Sequence, residues 1–179
     1  MLLETPRLII RDFKQTDLNN IHEYSSDPEV VRYMPFGPNT PEQSKAFLDR
    51  AISIQNNEPR NDYELAVTLK DTGAIVGHCR INKVSDIAAH IGYIYHKKHW
   101  GKGYATETAR ALVAYGFTEL GVHRVYATCD PENIPSRKVL EKSGMILEGR
   151  LREDMMIHGR YRDSLMLGIL KHEWESMSK

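Results

Sequence analysis

The stretch that most restricts what this chain can fold into runs from residue 88 to residue 121. Residues 88–96 are rich in β-branched and aromatic side chains and read as a strand. Lys97 through Gly103 form a turn with glycines at 101 and 103, and a helix is predicted over 104–119. In that helix Ala105, Ala109, Leu112, Val113, Gly116 and the following Leu120 recur at the spacing of one buried face, and Gly121 stops it. A strand feeding a glycine turn at a helix start exposes unpaired N–H groups and a partial positive charge. Glycines at 101 and 103 let the backbone approach an anion with no Cβ in the way. The segment therefore predicts a phosphate or pyrophosphate site. It is neither a dinucleotide fingerprint, whose third glycine would fall at Thr106, nor a P-loop, which needs Gly-Lys-Ser/Thr.

The flanking sequence predicts an α/β (α+β) domain occupying residues 1–179. A first strand is read over 8–10 and a helix over 18–25, with Thr16-Asp17 as its cap. Asp27-Pro28 breaks that helix, and a second helix spans 41 to about 55, with Thr40 as cap and Pro41 in its first position. Strands over 63–69 and 75–83 are joined by a hairpin turn at Lys70-Asp71-Thr72-Gly73. After the central unit come a strand at 124–129, a short helix at 133–143 ended by Gly144, and a hairpin of 145–157 with 161–170 turning at His158-Gly159. Antiparallel strands first, then one strand–helix–strand crossover, give a mixed sheet.

Charge is balanced, with 24 Lys and Arg against 24 Asp and Glu, so broad nucleic-acid or anionic-membrane binding is not expected. The N-terminus lacks the pattern of a signal peptide and no apolar run approaches a membrane span, so a cytoplasmic protein without membrane contact is expected. Cys79 and Cys129 have no metal-ligand spacing and are read as reduced, buried thiols. His96 and His99 gain no further ligands at useful spacing, and Lys97 and Lys98 between them oppose a cation, so no metal is expected. Cations are instead concentrated locally. Lys97, Lys98 and Lys102 flank the glycine turn; Arg137, Lys138 and Lys142 lie on the short helix, which the crossover brings to the same edge.

These residues resemble the GNAT N-acetyltransferase superfamily, and within it the RimJ/RimL branch. The resemblance covers nearly the whole chain: Thr5-Pro6-Arg7-Leu8-Ile9-Ile10-Arg11; Ile91-Gly92-Tyr93; Trp100-Gly101-Lys102-Gly103-Tyr104-Ala105-Thr106-Glu107; Asn133-x-x-Ser136; Lys142-x-Gly144; Glu148-Gly149-x-x-Arg152; and Gly159-x-Tyr161-x-Asp163. It implies a mostly antiparallel sheet, flanked by helices, whose central strands, the fourth and fifth of this reading, splay apart. It implies acetyl-CoA as co-substrate, with the pantetheine arm against backbone groups near Tyr93, Ile94 and Tyr95. The amides of residues 101–105 would hold the pyrophosphate, and Asn133 and Ser136 would lie at the arm and the thiol. The family's Gln or Arg three residues before the first glycine is here Lys98. Asn133 also reads as a plain helix cap and Ser136 as a plain first-turn serine.

Direct transfer needs a neutral amine, a stabilised oxyanion and a proton for the leaving thiolate. Three groups are candidates: a strand N–H near Tyr95 for the oxyanion, His90 as base where the family often has Glu, and Ser136 as acid. Many superfamily members carry a Tyr seven residues after the Asn; here that position is Leu140. Glu107 is a second base candidate with a competing helix-dipole explanation. The expected acceptor is a protein N-terminal α-amine, of ribosomal-protein type; polyamine or other small-amine acetylation and a non-catalytic coenzyme A sensor are the alternatives. A homodimer is allowed. Acceptor choice is expected from residues 33–36 and from the hairpin around Arg152, Glu153, Tyr161 and Asp163, with Glu29 and Glu153 available to attract a cationic amine.

Overall fold

In the computed structural model, which describes residues 2–177, eight strands hydrogen-bond into one sheet. They are β1 (Leu2–Glu4), β2 (Leu8–Asp12), β3 (Asp62–Leu69), β4 (Ile75–Lys83), β5 (Ala88–Tyr95), β6 (Arg124–Cys129), β7 (Ile146–Ile157) and β8 (Arg160–Leu170). Their order is β1-β2-β3-β4-β5-β6-β8-β7, antiparallel at every junction except β5–β6. The helices are α1 (Leu18–Ser25), α2 (Pro41–Ser53), α3 (Tyr104–Thr118), α4 (Ile134–Lys142) and α5 (Lys171–Met177).

The parallel junction follows from α3, because a helical crossover returns the chain in the direction in which it left. That pairing lasts only from Ala88↔Arg124 to His90↔Tyr126. Beyond it β5 stays with β4 as far as Gly77↔Tyr95, and β6 stays with β8 as far as Cys129↔Leu165. Residues 91–95 and 127–129 therefore face each other across a gap with no ladder between them. The splay expected at the fourth and fifth strands falls at the fifth and sixth, because β1 precedes the strand read as first.

Strand alternation divides the apolar side chains between two cores. Leu8, Ile10, Leu65, Ile81, Ile91 and Leu167 join Leu112, Val113 and Phe117 of α3 on one face. On the other, Ala66 and Ile94 meet Ile21 and Tyr24 of α1 and Leu48 of α2. Among the described residues, β6 and β8 contribute nothing to this second core.

Several expected details shift. Asp17 precedes α1 but does not cap it; its carboxylate is held by Arg11 at 2.8 Å and accepts from the Lys14 N–H. The second helix stops at Ser53 and tightens into a 3-10 turn through Asn56. Thr40 does cap it, with Gln43 bonding back in a capping box. α5 is an unexpected short helix whose Trp174 packs on Phe117. The final hairpin turns where expected, with both His158 and Gly159 at positive φ. Cys79 and Cys129 are buried and unpaired with each other. No described helix is long and apolar enough to cross a membrane.

Candidate active site

The N-terminus of α3 is left open by its own sequence. Its cap is Gly103, at φ 81, which has no side chain to accept from the first turn. By contrast Thr40 caps α2 and Asn133 caps α4. The donors of residues 103–106 thus remain available to an anion, beside Gly101 at φ 74. A Cβ on Gly101 would meet nothing, whereas one on Gly103 would come within 3.3 Å of Arg7 Nη2. Trp100 is half-exposed and anchors the loop by donating from Nε1 to the Tyr95 carbonyl at 2.8 Å. Ala105 and Thr106 lie half-buried in the first turn.

Arg7 and Glu107 set this turn. The Glu107 carboxylate accepts from Thr5 Oγ1, from the Arg7 N–H and from Arg7 Nε, while Arg7 Nη1 donates to the Lys102 carbonyl at 2.9 Å. The guanidinium also lies 4.7 Å from the Tyr104 ring centre. Burial pushes the Glu107 carboxyl up, but these donors outweigh it and hold the group below its ordinary value. Glu107 is a clamp between β2's approach and α3, and all of its acceptor capacity is engaged there.

The lysines divide. Lys98 Nζ lies 2.9 Å from Glu23, and Lys97 Nζ lies 2.7 Å from Asp27, so both turn towards α1. His96 adds a 3.1 Å contact to the same Glu23 carboxylate. This is the main departure from a cluster converging on the phosphates. Lys102, Lys138 and Lys142 are exposed and form no ion pair among the described residues, whereas Arg137 bonds Glu141. α3 and α4 are tied by Arg110, which donates to the Lys142 carbonyl at 2.8 Å.

The splay brings Tyr93 of β5 to α4. Its hydroxyl lies 3.0 Å from Ser136 Oγ and donates to the Ser136 carbonyl at 3.1 Å. Asn133 Oδ1 accepts from the Ser136 N–H, so the capping role is real. Burial raises the Tyr93 pKa, which keeps its hydroxyl protonated. Tyr93 entered the sequence reading for its backbone only; its hydroxyl pair with Ser136 needed the crossover to become visible. Leu140 is buried in the core.

Two other expected positions lie elsewhere in the cleft. Tyr95 is buried, and its hydroxyl donates to Thr108 Oγ1 at 2.6 Å, so only its backbone faces the gap. Ile94 packs into the second core. His90 sits where β5 and β6 are still paired, its ring 5.2 Å from that of Tyr126. Burial, with Arg80 nearby, lowers its pKa to about 4, so it is neutral and weakly basic near pH 7.

The two segments expected to choose the acceptor each border a concavity. Pro35 and Phe36 join Ile21, Phe47, Arg50 and His78 around one of about 480 Å³. His78 is buried there, bonded to the Tyr24 hydroxyl at 2.9 Å, and burial lowers its pKa to about 3. Arg150, Arg152, Glu153 and Asp163 line the other. In it, β7 bulges between Leu151 and Met155, and Asp163 staples the bulge by accepting from the Glu153 N–H at 2.9 Å and pairing with Arg150 at 2.6 Å.

Residues 7–146 match the family described as acetyltransferase (GNAT) domain. The chain is 37% identical over 175 residues to the protein of Bacillus subtilis (strain 168) named uncharacterized N-acetyltransferase YnaD, covering 97% of this chain and 99% of that one. It is 25% identical over 167 residues to spermidine N(1)-acetyltransferase of Escherichia coli (strain K12), covering 92% and 87%. A solved acetyltransferase of the GNAT family from Bacillus anthracis superposes with a TM-score of 0.85 at 35% identity, over 96% of this chain and 99% of that one. The open helix start, the splayed strands and these matches agree, and the chain belongs to the GNAT family of acetyl-CoA-dependent N-acetyltransferases.

Proposed function

We propose that this enzyme transfers the acetyl group of acetyl-CoA to the α-amine of a protein N-terminus, in the manner of the RimJ/RimL branch. The observation that carries this reading is the lining of the concavity of about 480 Å³, where, among the described residues, Arg50 is the only charged one. A polyamine is a chain of cations and needs carboxylates; this lining offers apolar and neutral polar groups. An α-amine has a reference pKa near 7.7–8.0, against about 10.4 for a lysine-type amine, so it is largely neutral without a strong base. That suits a site where half-buried His90 is a weak base and Glu107 is engaged.

In the proposed reaction the neutral amine attacks the thioester carbonyl carbon and the C–S bond breaks. Main-chain groups of residues 91–95 that face the gap, including that of Tyr95, would steady the oxyanion. Ser136, hydrogen-bonded to the Tyr93 hydroxyl, would pass its proton to the thiolate and regain one from the solvent that takes the surplus proton of the amine. Amides of Gly101, Lys102, Gly103, Tyr104 and Ala105 would hold the pyrophosphate, with Thr106 behind them and Lys102, Lys138 and Lys142 free to meet phosphate charge. Lys98 would contribute by fixing the loop.

Polyamine acetylation is the second reading, supported by the likeness to the spermidine enzyme. A thiol-release assay across N-terminal peptides, spermidine and aminoglycosides separates the two. Peptides are expected to be the best acceptors; a response to spermidine alone overturns the proposal.

A further inference from the structure

Arg50, on α2, is less engaged than the arginines of the sheet beneath it. Arg60 holds Asp12 with two nitrogens, and Arg80 holds Asp62 in the same way. Arg50 gives Nη2 alone, to Glu64 at 2.9 Å, and its guanidinium lies 5.6 Å from the centre of the Phe47 ring. Its side chain is 49% exposed, whereas that of Glu64 is only 5% exposed. A buried carboxylate therefore pins the guanidinium from below, and Nε and Nη1 have no bonding partner among the described residues. A fixed cation with open donors in an otherwise uncharged lining is suited to an anionic group of a ligand.

The concavity adjoins the splay. His78 lies in its wall and pairs in register with Ile94, one of the β5 residues beyond the β5–β6 ladder. Ile94 in turn shares the second core with Ile21 and Phe47, which line the same concavity. Glu64 belongs to β3, two strands from β5, so the guanidinium stands about two strand spacings, roughly 10 Å, from the gap. An extended chain advances about 3.4 Å per residue. A peptide whose amine sits at the gap would thus bring its second or third side chain to Arg50.

We infer that Arg50 selects acceptors with an acidic side chain at their second or third residue, its open Nη1 and Nε donors meeting that carboxylate. The inference rests on the peptide reading above and narrows it to a class of N-terminus. Ile21, Phe36 and Phe47 around the guanidinium lower the local dielectric and strengthen such a pair. A lysine in the same place would meet a like charge.

The test uses three N-terminal peptides that differ only in carrying Glu, Ala or Lys at both the second and third residues. They are assayed with native enzyme, Arg50→Gln and Arg50→Lys. Native kcat/KM should be at least about tenfold higher for the Glu peptide than for the Ala peptide, with the Lys peptide poorest. Arg50→Gln keeps an amide donor for Glu64 and should bring the Glu-to-Ala ratio within about twofold of unity, with the acetyl-CoA KM also within about twofold. Arg50→Lys keeps the charge without the planar donors and should retain part of the ratio, a result that stands even if the Gln variant is too unstable to assay. If Arg50 served only to neutralise Glu64, its loss would lower all three peptides together and leave the ratio at its native value; that outcome overturns the inference. Native enzyme that acetylates the three peptides equally well also overturns it while leaving the peptide reading intact. Native enzyme that acetylates no peptide overturns both.

Discussion

The two sides of the splay are built from different materials. On the proposed cofactor side the groups available to a ligand are main-chain: the open first turn of α3 and the unpaired edges of residues 91–95. Side chains there brace the loop from behind, Glu107 with Arg7 on one flank and Glu23 with Lys98 and His96 on the other. On the proposed acceptor side the groups are side chains, those of Phe36, Phe47, Arg50 and His78 at one concavity and those of the β7–β8 hairpin at the other. A backbone cradle tolerates many side-chain changes provided its dihedral angles are kept. A side-chain pocket keeps its shape through mutation of the backbone's neighbours but changes its ligand with one substitution. The same fold can therefore hold one thioester while its acceptor varies.

The largest effect expected on this contrast comes from Gly103→Val. A β-branched residue at φ 81, with Arg7 Nη2 already 3.3 Å from its Cβ, distorts the cradle. Left-handed backbone costs a non-glycine residue about 1–2 kcal/mol before any clash, so coenzyme A binding measured by calorimetry should weaken at least about tenfold. Wild-type affinity in this variant would mean that the cradle is not made of backbone.

Next is the hydroxyl pair. Ser136→Ala should lower kcat by roughly tenfold to a hundredfold with little change in the acetyl-CoA KM, as for loss of a weak general acid. Tyr93→Phe should give a smaller drop in the same direction. If Ser136→Ala retains full kcat, the thiolate takes its proton from water and the pair is structural.

The pH dependence sharpens the reading of buried His78 and half-buried His90. In the folded protein His78 and His90 have pKa values of about 3 and about 4, both below the unfolded value near 6.5. Between those limits the unfolded chain binds more protons, so stability rises with pH and is lost as pH falls below about 6.5. At pH 5 the loss should be roughly 1–2 kcal/mol for each group, read from denaturant midpoints, and His78→Gln should flatten the slope. The rising limb of kcat/KM should follow the acceptor amine and survive His90→Gln. A limb near pH 6.5 that disappears in that variant would restore His90 as the base.

The smallest effect belongs to the strap on α1. Glu23→Gln should raise the acetyl-CoA KM only about two- to fivefold, since exposed ion pairs contribute little, and added salt should reduce the difference. A change in acceptor KM of equal size would show that α1, whose Ile21 and Ser25 border the proposed acceptor concavity, couples the two sides.

Much of the conformation of the proposed cofactor loop was legible in the sequence because it is local. Gly101 and Gly103, the amphipathic run of α3 and the turns at Gly73, Gly121 and Gly159 encode their conformation within a few residues, and tertiary packing had no reason to override it. Asp17 shows the limit: the same residue type that caps helices was drawn to Arg11, a charged partner six residues back, and a charge-assisted bidentate pair outweighed the cap. Lys97 and Lys98 mark a second limit. Their sequence neighbours suggested phosphate, but Glu23 and Asp27 lie some seventy residues away.

By itself, then, the chain determined the order of its central strands and helices, that a helix would start open beside two glycines, and that the crossover would make β5 and β6 parallel. These follow from periodicity and from the steric freedom of glycine, which act over one or two turns. Only the tertiary structure decided which lysines meet carboxylates, that the Tyr93 hydroxyl meets Ser136, and that Arg50 meets Glu64 through a single nitrogen. Those pairings depend on distances between residues far apart in sequence, and hydrogen bonds and ion pairs lose most of their strength within an ångström or two of misplacement.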